Sequence, residues 1–182
     1  MRQRKIRNLT PKQSRLWELE KFLLRMILLV APVYIIITFG INMGSLQLEV
    51  ARESEWVLGT MGFNATSYGA GIVIEFAGRA PFFFIISADC IGWKAMLFFA
   101  ALLLAVQRRA WRPRVAGLAA GIAAIWLVNL FRVAAVVSVY YSYGPGAAAL
   151  VHDYLWQTGM GIAALLLWVV WLRLSGKKLH NS

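Results

Sequence analysis

Residues 87–96 read Ser-Ala-Asp-Cys-Ile-Gly-Trp-Lys-Ala-Met and contain the single cysteine of the chain. With no second thiol, Cys90 can enter neither an intrachain disulfide nor a CxxC redox pair, which argues against a membrane disulfide oxidoreductase. It is left either as a packed apolar side chain or as a nucleophile. Only the thiolate attacks, so a catalytic Cys90 needs a cation or an acid–base partner close by. The chain offers Arg132 and His152; the other histidine, His180, lies in a basic tail. One cysteine and two histidines give no zinc ligand set, and neither a metal nor a cofactor is expected.

Whether these side chains can meet depends on the elements that carry them. Hydrophobic residues make up 60% of the chain, charged residues 15%, and the mean hydropathy is +0.63. Those values exclude an ordinary soluble domain and predict an all-α polytopic membrane protein. Residues 1–21 carry Arg2, Arg4, Lys5, Arg7, Lys12, Arg15 and Lys21 and read as a basic cytoplasmic tail. Residues 22–41 are nearly all apolar, long enough for a first span rather than a cleaved leader. Residues 44–84 read as extracytoplasmic. Within them, Leu46, Val50, Val57, Leu58 and Met61 oppose Glu49, Arg52, Glu53 and Glu55 at helical spacing, the pattern of an amphipathic helix on the membrane surface. Two β-branched and aromatic runs, 68–76 and 81–86, then flank Ala77-Gly78-Arg79-Ala80 and suggest a short β-hairpin leading into Cys90. Periodicity alone also allows Phe82 to open the next helix.

Further spans are expected at 85–106, 115–140 and 151–172, with a cytoplasmic tail at 173–182. A loop with Arg108, Arg109, Arg112 and Arg114 follows the second span. Four spans with both termini inside put 15 of 19 Lys and Arg on the cytoplasmic side, all but Arg52, Arg79, Lys94 and Arg132. Glu49, Glu53, Glu55, Glu75, Asp89 and Asp153 fall outside. The net charge of +11 is thereby an orientation signal, and no basic patch remains to suggest nucleic acid. Trp17, Trp111, Trp168 and Trp171 fall near the inner boundary and Trp56 and Trp156 near the outer one, as interfacial anchors do.

At 1.5 Å per residue, Cys90 stands about 24 Å above an inner boundary at Val106, Arg132 about 26 Å above Val115, and His152 about 30 Å above Leu172. Three residues distant in sequence therefore reach one outer depth, within the blur of helix tilt. Each has a plainer reading: a free cysteine often only packs, and His152 could be solvated. Arg132 is harder to set aside, because an arginine inside a span costs about 2.5–3.5 kcal/mol and faces a polar cavity. Asn129 shares its helical face and could bond the guanidinium. Asp153 adjoins His152 but points about 100° away, which makes Asp89 or Asn129 the better expected orienter of the imidazole. Arg79, Lys94 and His180 read as solvated or snorkelling.

In this arrangement the chain resembles the exosortase and archaeosortase family, membrane cysteine transpeptidases that process C-terminal sorting signals of exported proteins. The resemblance rests on Cys90-Ile91-Gly92 at the outer start of one span, Asn129-Leu130-Phe131-Arg132 on the next, and His152-Asp153 at the start of the one after. It covers roughly 45–160, including the amphipathic helix and hairpin before the cysteine. It implies Cys90 as nucleophile, Arg132 as stabiliser of thiolate or oxyanion, and His152 as general acid–base, with Asn129 and Asp89 in support. The implied partners are the C-terminal helix of a client protein and an acceptor, a membrane lipid or another group. The implied place is the cell membrane, with the site facing outside. The chain departs from the family's pattern in having few spans, in Ile91 where a small residue commonly follows the cysteine, and in Lys94. The competing expectation is a non-catalytic assembly or transport subunit with a polar pocket around Arg132.

Overall fold

The computed structural model describes residues 10–40, 42–78, 80–106, 110–154 and 158–177. Arg79, Arg108, Arg109, Trp156 and His180, singled out above, lie outside the described residues, as do the basic residues before Thr10.

Helix α1, Pro11–Phe39, starts where its sequence says it should: Thr10 and Gln13 form a capping box and proline occupies the first helical position. Lys12, Arg15 and Lys21 thus stand on the helix itself rather than on a tail preceding it. Beyond Arg25 its exposed side chains, among them Ile27, Leu28, Ile35 and Phe39, are almost all apolar, as befits a helix whose solvent is lipid. It ends on Gly40 in the left-handed conformation. Asn42 Oδ1 accepts from the Gly44 amide at 2.8 Å and opens α2, Gly44–Thr60, the expected amphipathic helix. Its buried face is Val50, Ala51, Ser54 and Leu58.

Where the sequence suggested a hairpin of two strands, the structure has an antiparallel sheet of three, in the order β1 (Asn64–Tyr68), β2 (Gly71–Glu75), β3 (Phe82–Ile85). The structure is mostly helical, as expected of an all-α membrane protein, with this small sheet in addition. Strand β1 reads Asn-Ala-Thr-Ser-Tyr and carries no apolar alternation; pairing and side-chain bonds hold it, the Ser67 amide and hydroxyl both donating to Glu55 on α2. Strand β2 turns Ile72 and Ile74 fully into the core. From β3, Phe82 stacks on Tyr140, centroids 3.7 Å apart, and locks the sheet to the long helix Trp111–Tyr143.

A 3-10 turn, Ala88–Ile91, joins β3 to α3, Trp93–Ala105. Helices α4 (Trp111–Tyr143), α5 (Pro145–Tyr154) and α6 (Met160–Lys177) follow. Among the described residues, two helices are long and apolar enough to cross a membrane, Lys12–Phe39 and Trp111–Tyr143, while Trp93–Ala105 and Met160–Ser175 are shorter apolar helices. The stretch 85–106 is thus not one continuous helix, and of the stretch 151–172 residues 155–157 lie outside the described residues, between α5 and α6.

Two apolar clusters hold the molecule together. One joins α2, the sheet and the 3-10 turn to α4, through Val50, Leu58, Ile72, Ile74, Ile86, Ile91, Val133 and Val137. The other joins α3, α4 and α6, through Phe99, Leu103, Ile125, Ala164 and Trp171. Gly121 is the seat of the Phe99 ring, since a Cβ there would stand 2.1 Å from it. Trp171 is no interfacial anchor: it is buried, and its indole donates to the Pro113 carbonyl at 3.0 Å, fastening α6 to the start of α4.

Candidate active site

The cysteine lies in the short non-helical link between sheet and helix, and each end of that link is fixed. Ile86 and Ile91, both fully buried, anchor it, with the Ile86 amide donating to Ala70 O at 2.8 Å and Gln47 Nε2 donating to Ile86 O at 2.7 Å. The Cys90 amide closes the turn on Ser87 O at 2.8 Å. Gly92 then adopts φ +81°, a left-handed conformation that glycine supplies without strain. A Cβ there would also press on Asn129 and Met160, both at 3.3 Å. Cys90 ends 3% exposed, beneath the surface but close to it.

Behind it, α4 presents Asn129 and Arg132, one turn apart and 1% and 5% exposed. Asn129 Nδ2 donates to the Cys90 carbonyl at 2.6 Å, and its Oδ1 accepts from Arg132 Nη1 at 3.3 Å. The amide therefore spends one end on each partner and links the cysteine backbone to the guanidinium. The guanidinium also interacts with the Cys90 side chain and with Asp89.

From the third side, α5 brings His152, whose Nε2 lies 3.9 Å from Cys90 Sγ. That is long for proton transfer but within the looser spacing of an unliganded nucleophile–base pair. Cys90, Arg132 and His152 therefore do meet, from the 3-10 turn, α4 and α5.

The support around them differs from expectation in two ways. His152 Nδ1 lies 3.4 Å from Asp153 Oδ1, whereas Asp89 pairs with Lys94 at 2.6 Å and Asn129 serves Cys90 and Arg132. Neither Asp89 nor Asn129 orients the imidazole. The 100° separation of neighbours describes the Cα–Cβ directions, and a flexible carboxylate swings across part of it, though only to the far edge of hydrogen bonding. Lys94, expected to be solvated or snorkelling, is half-exposed and held by Asp89, with its ammonium 5.7 Å from the Trp93 ring centroid.

Sequence reasoning missed Ser87, whose Oγ lies 3.3 Å from Cys90 Sγ. Its one signal was a place three residues before the cysteine, the spacing that a 3-10 turn brings together.

The arrangement puts a nearly buried thiol between a hydroxyl and an imidazole, with a permanent positive charge alongside. Those are the parts of a nucleophile with its proton acceptor and an electrostatic stabiliser. Among the described residues, no group of three or more His, Cys, Asp or Glu is placed to hold a metal ion. A family model described as transmembrane exosortase (Exosortase_EpsH) matches residues 12–173. No curated protein and no solved structure matches the chain.

Proposed function

The chain belongs to the transmembrane exosortase family, and from that premise we propose that it is a membrane-embedded cysteine transpeptidase acting on the C-terminal sorting signal of exported proteins. The observation that carries the reading is the 3.9 Å approach of His152 Nε2 to Cys90 Sγ, with Arg132 interacting with the same side chain.

In this reading His152 Nε2 takes the thiol proton, and the thiolate attacks the carbonyl carbon of a peptide bond just outside the client's membrane-spanning tail. Negative charge passes to the carbonyl oxygen. Arg132 stabilises it first on sulfur and then on oxygen, and such a donor in a water-poor site contributes several kcal/mol. The C–N bond breaks, the leaving amine takes the proton from His152, and a thioester to Cys90 remains. An acceptor nucleophile then gives its proton to His152, attacks the thioester carbon and releases the thiolate. A lipid-borne or other amine or hydroxyl gives transfer; water gives hydrolysis.

Helices α1, α3, α4 and α6 are the four crossings in this proposal, with both termini cytoplasmic and α2 and the sheet on the outer face of the cell membrane. Helix α3 has 13 residues and spans about 20 Å, short of a hydrocarbon core of about 30 Å. In this proposal the four-residue 3-10 turn adds about 8 Å and Cys90 stands at the outer boundary, where a client's own helix emerges.

Intact-mass analysis of client proteins from cells with wild-type or Cys90→Ala enzyme tests this. The expected result is a shortened C-terminus carrying an added group, lost in the variant. Identical client masses would leave the competing reading, a non-catalytic subunit in which Cys90 only packs.

A further inference from the structure

We infer that Ser87 is a further functional residue of the site, its hydroxyl donating a hydrogen bond to the Cys90 sulfur whenever that sulfur carries negative charge. The inference rests on the nucleophilic reading of Cys90 and deepens it.

Ser87 occupies the N-cap of the 3-10 turn, in extended backbone with φ −72° and ψ 164°. A serine in that place ordinarily turns its oxygen onto an amide of the first turn and accepts a hydrogen bond there. This one makes no such cap bond. Its Oγ instead faces the sulfur at 3.3 Å, while its carbonyl accepts the Cys90 amide at 2.8 Å. The backbone bond fixes the distance between the two residues, and the side chain uses that fixed distance to reach the thiol.

The sulfur then has Ser87 Oγ at 3.3 Å and His152 Nε2 at 3.9 Å. Against a neutral thiol either Ser87 or Cys90 can donate. Against a thiolate only the hydroxyl can, because the sulfur has lost its proton. The contact is therefore worth more in the charged state than in the neutral one, and differential interaction of that kind promotes ionisation. The same donor acts twice in a turnover: when His152 removes the thiol proton, and when the thioester breaks and the thiolate leaves. Ser87 keeps its own proton throughout. It complements Arg132, which supplies charge from α4, by supplying a short-range directional bond from the cysteine's own turn.

The test is the rate at which a small electrophilic probe, iodoacetamide, alkylates Cys90 in the purified full chain in detergent, followed by intact mass across pH. Ser87→Ala and Ser87→Gly both remove the hydroxyl, one keeping and one losing the Cβ, and Ser87→Thr retains it. Ser87 is exposed, so none of these changes disturbs the core. Loss of the donor is expected to slow alkylation at neutral pH about tenfold in both hydroxyl-free variants, the size of a hydrogen bond to a charged group. It should also displace the rate–pH profile to higher pH, with Ser87→Thr near wild type. A merely structural serine would leave that profile in place. Equal profiles for wild type, Ser87→Ala and Ser87→Gly would overturn the role of Ser87 and leave the nucleophilic reading standing. A wild-type Cys90 that alkylates no faster than it does in His152→Ala, Arg132→Ala or denatured protein would overturn both.

Discussion

Replacing Asn129 by leucine keeps the heavy-atom skeleton of the side chain and removes both of its polar ends. The Cys90 carbonyl then loses its 2.6 Å donor, and Arg132 Nη1 loses its 3.3 Å acceptor. A buried group stripped of its partner costs about 1–3 kcal/mol, more when charged. Both residues are at most 5% exposed, so water does not replace what is lost. Arg132 keeps its interactions with Cys90 and Asp89, which moderates its share. The sum, about 2–4 kcal/mol, is lost from folding stability, and with Arg132 and the cysteine turn no longer held together client turnover should fall at least tenfold. Asn129→Asp separates the two ends: it keeps an acceptor for Arg132 and abolishes the donor to Cys90. It also sets a carboxylate on the guanidinium that is meant to face the thiolate. It should preserve the fold better than leucine and still lose most activity. The assay is client cleavage in membranes by intact mass, beside the iodoacetamide rate at Cys90 and thermal unfolding in detergent. Asn129→Leu protein that cleaves client within threefold of wild type would refute the idea that this amide holds the site together.

Arg132→Lys should lower client cleavage at least tenfold with normal membrane insertion, because an ammonium cannot reproduce the planar fork that reaches Asn129 and Cys90 together; cleavage at wild-type rate would count against it. Asp153→Asn should change cleavage less than about fivefold, since a 71% exposed carboxylate at 3.4 Å contributes at most about 1 kcal/mol; a hundredfold loss would make it an essential orienter. Gly121→Ala should destabilise by about 1–3 kcal/mol, read as earlier thermal unfolding, because its Cβ meets the Phe99 ring.

The helix-rise sum brought Cys90, Arg132 and His152 to one depth although it took 85–106 as unbroken helix, because Cys90 lies only three residues before α3 and the 3-10 turn alters the sum little. Composition likewise revealed a membrane chain, and alternating charge revealed α2. Partner choice among polar side chains was not legible. Asp89 turns to Lys94, and Asp153 reaches His152, through side-chain torsions that no spacing rule encodes. Strand β1 escaped notice because Asn-Ala-Thr-Ser has none of the period-two hydrophobicity that marks a strand; it exists through its register with β2, Thr66 opposite Val73. Trp171 looked like an anchor because its place near a helix end says nothing of which way the indole points. Its real use required Gly117, whose missing Cβ leaves room for that ring.

In the proposed reading, a nucleophile near the membrane boundary poses a backbone problem before a chemical one. Carried on a helix, Cys90 would have its carbonyl bonded within the segment, but its thiol would point along a packed or lipid-facing stripe. Carried on a loop, the thiol is free to face a cavity, but the loop's amides and carbonyls then need partners where water is scarce, and irregular backbone is tolerated there only when protein supplies them. Here the supply is itemised by residue: Ala70 O takes the Ile86 amide, Gln47 serves the Ile86 carbonyl, Ser87 O takes the Cys90 amide, and Asn129 serves the Cys90 carbonyl. The last of these is also the acceptor for Arg132. The amide that makes a cysteine outside the α-helices tolerable therefore also holds, by its other end, the cation beside it. Scaffold and chemistry share one amide, so removing both of its ends, as Asn129→Leu does, should damage the two together.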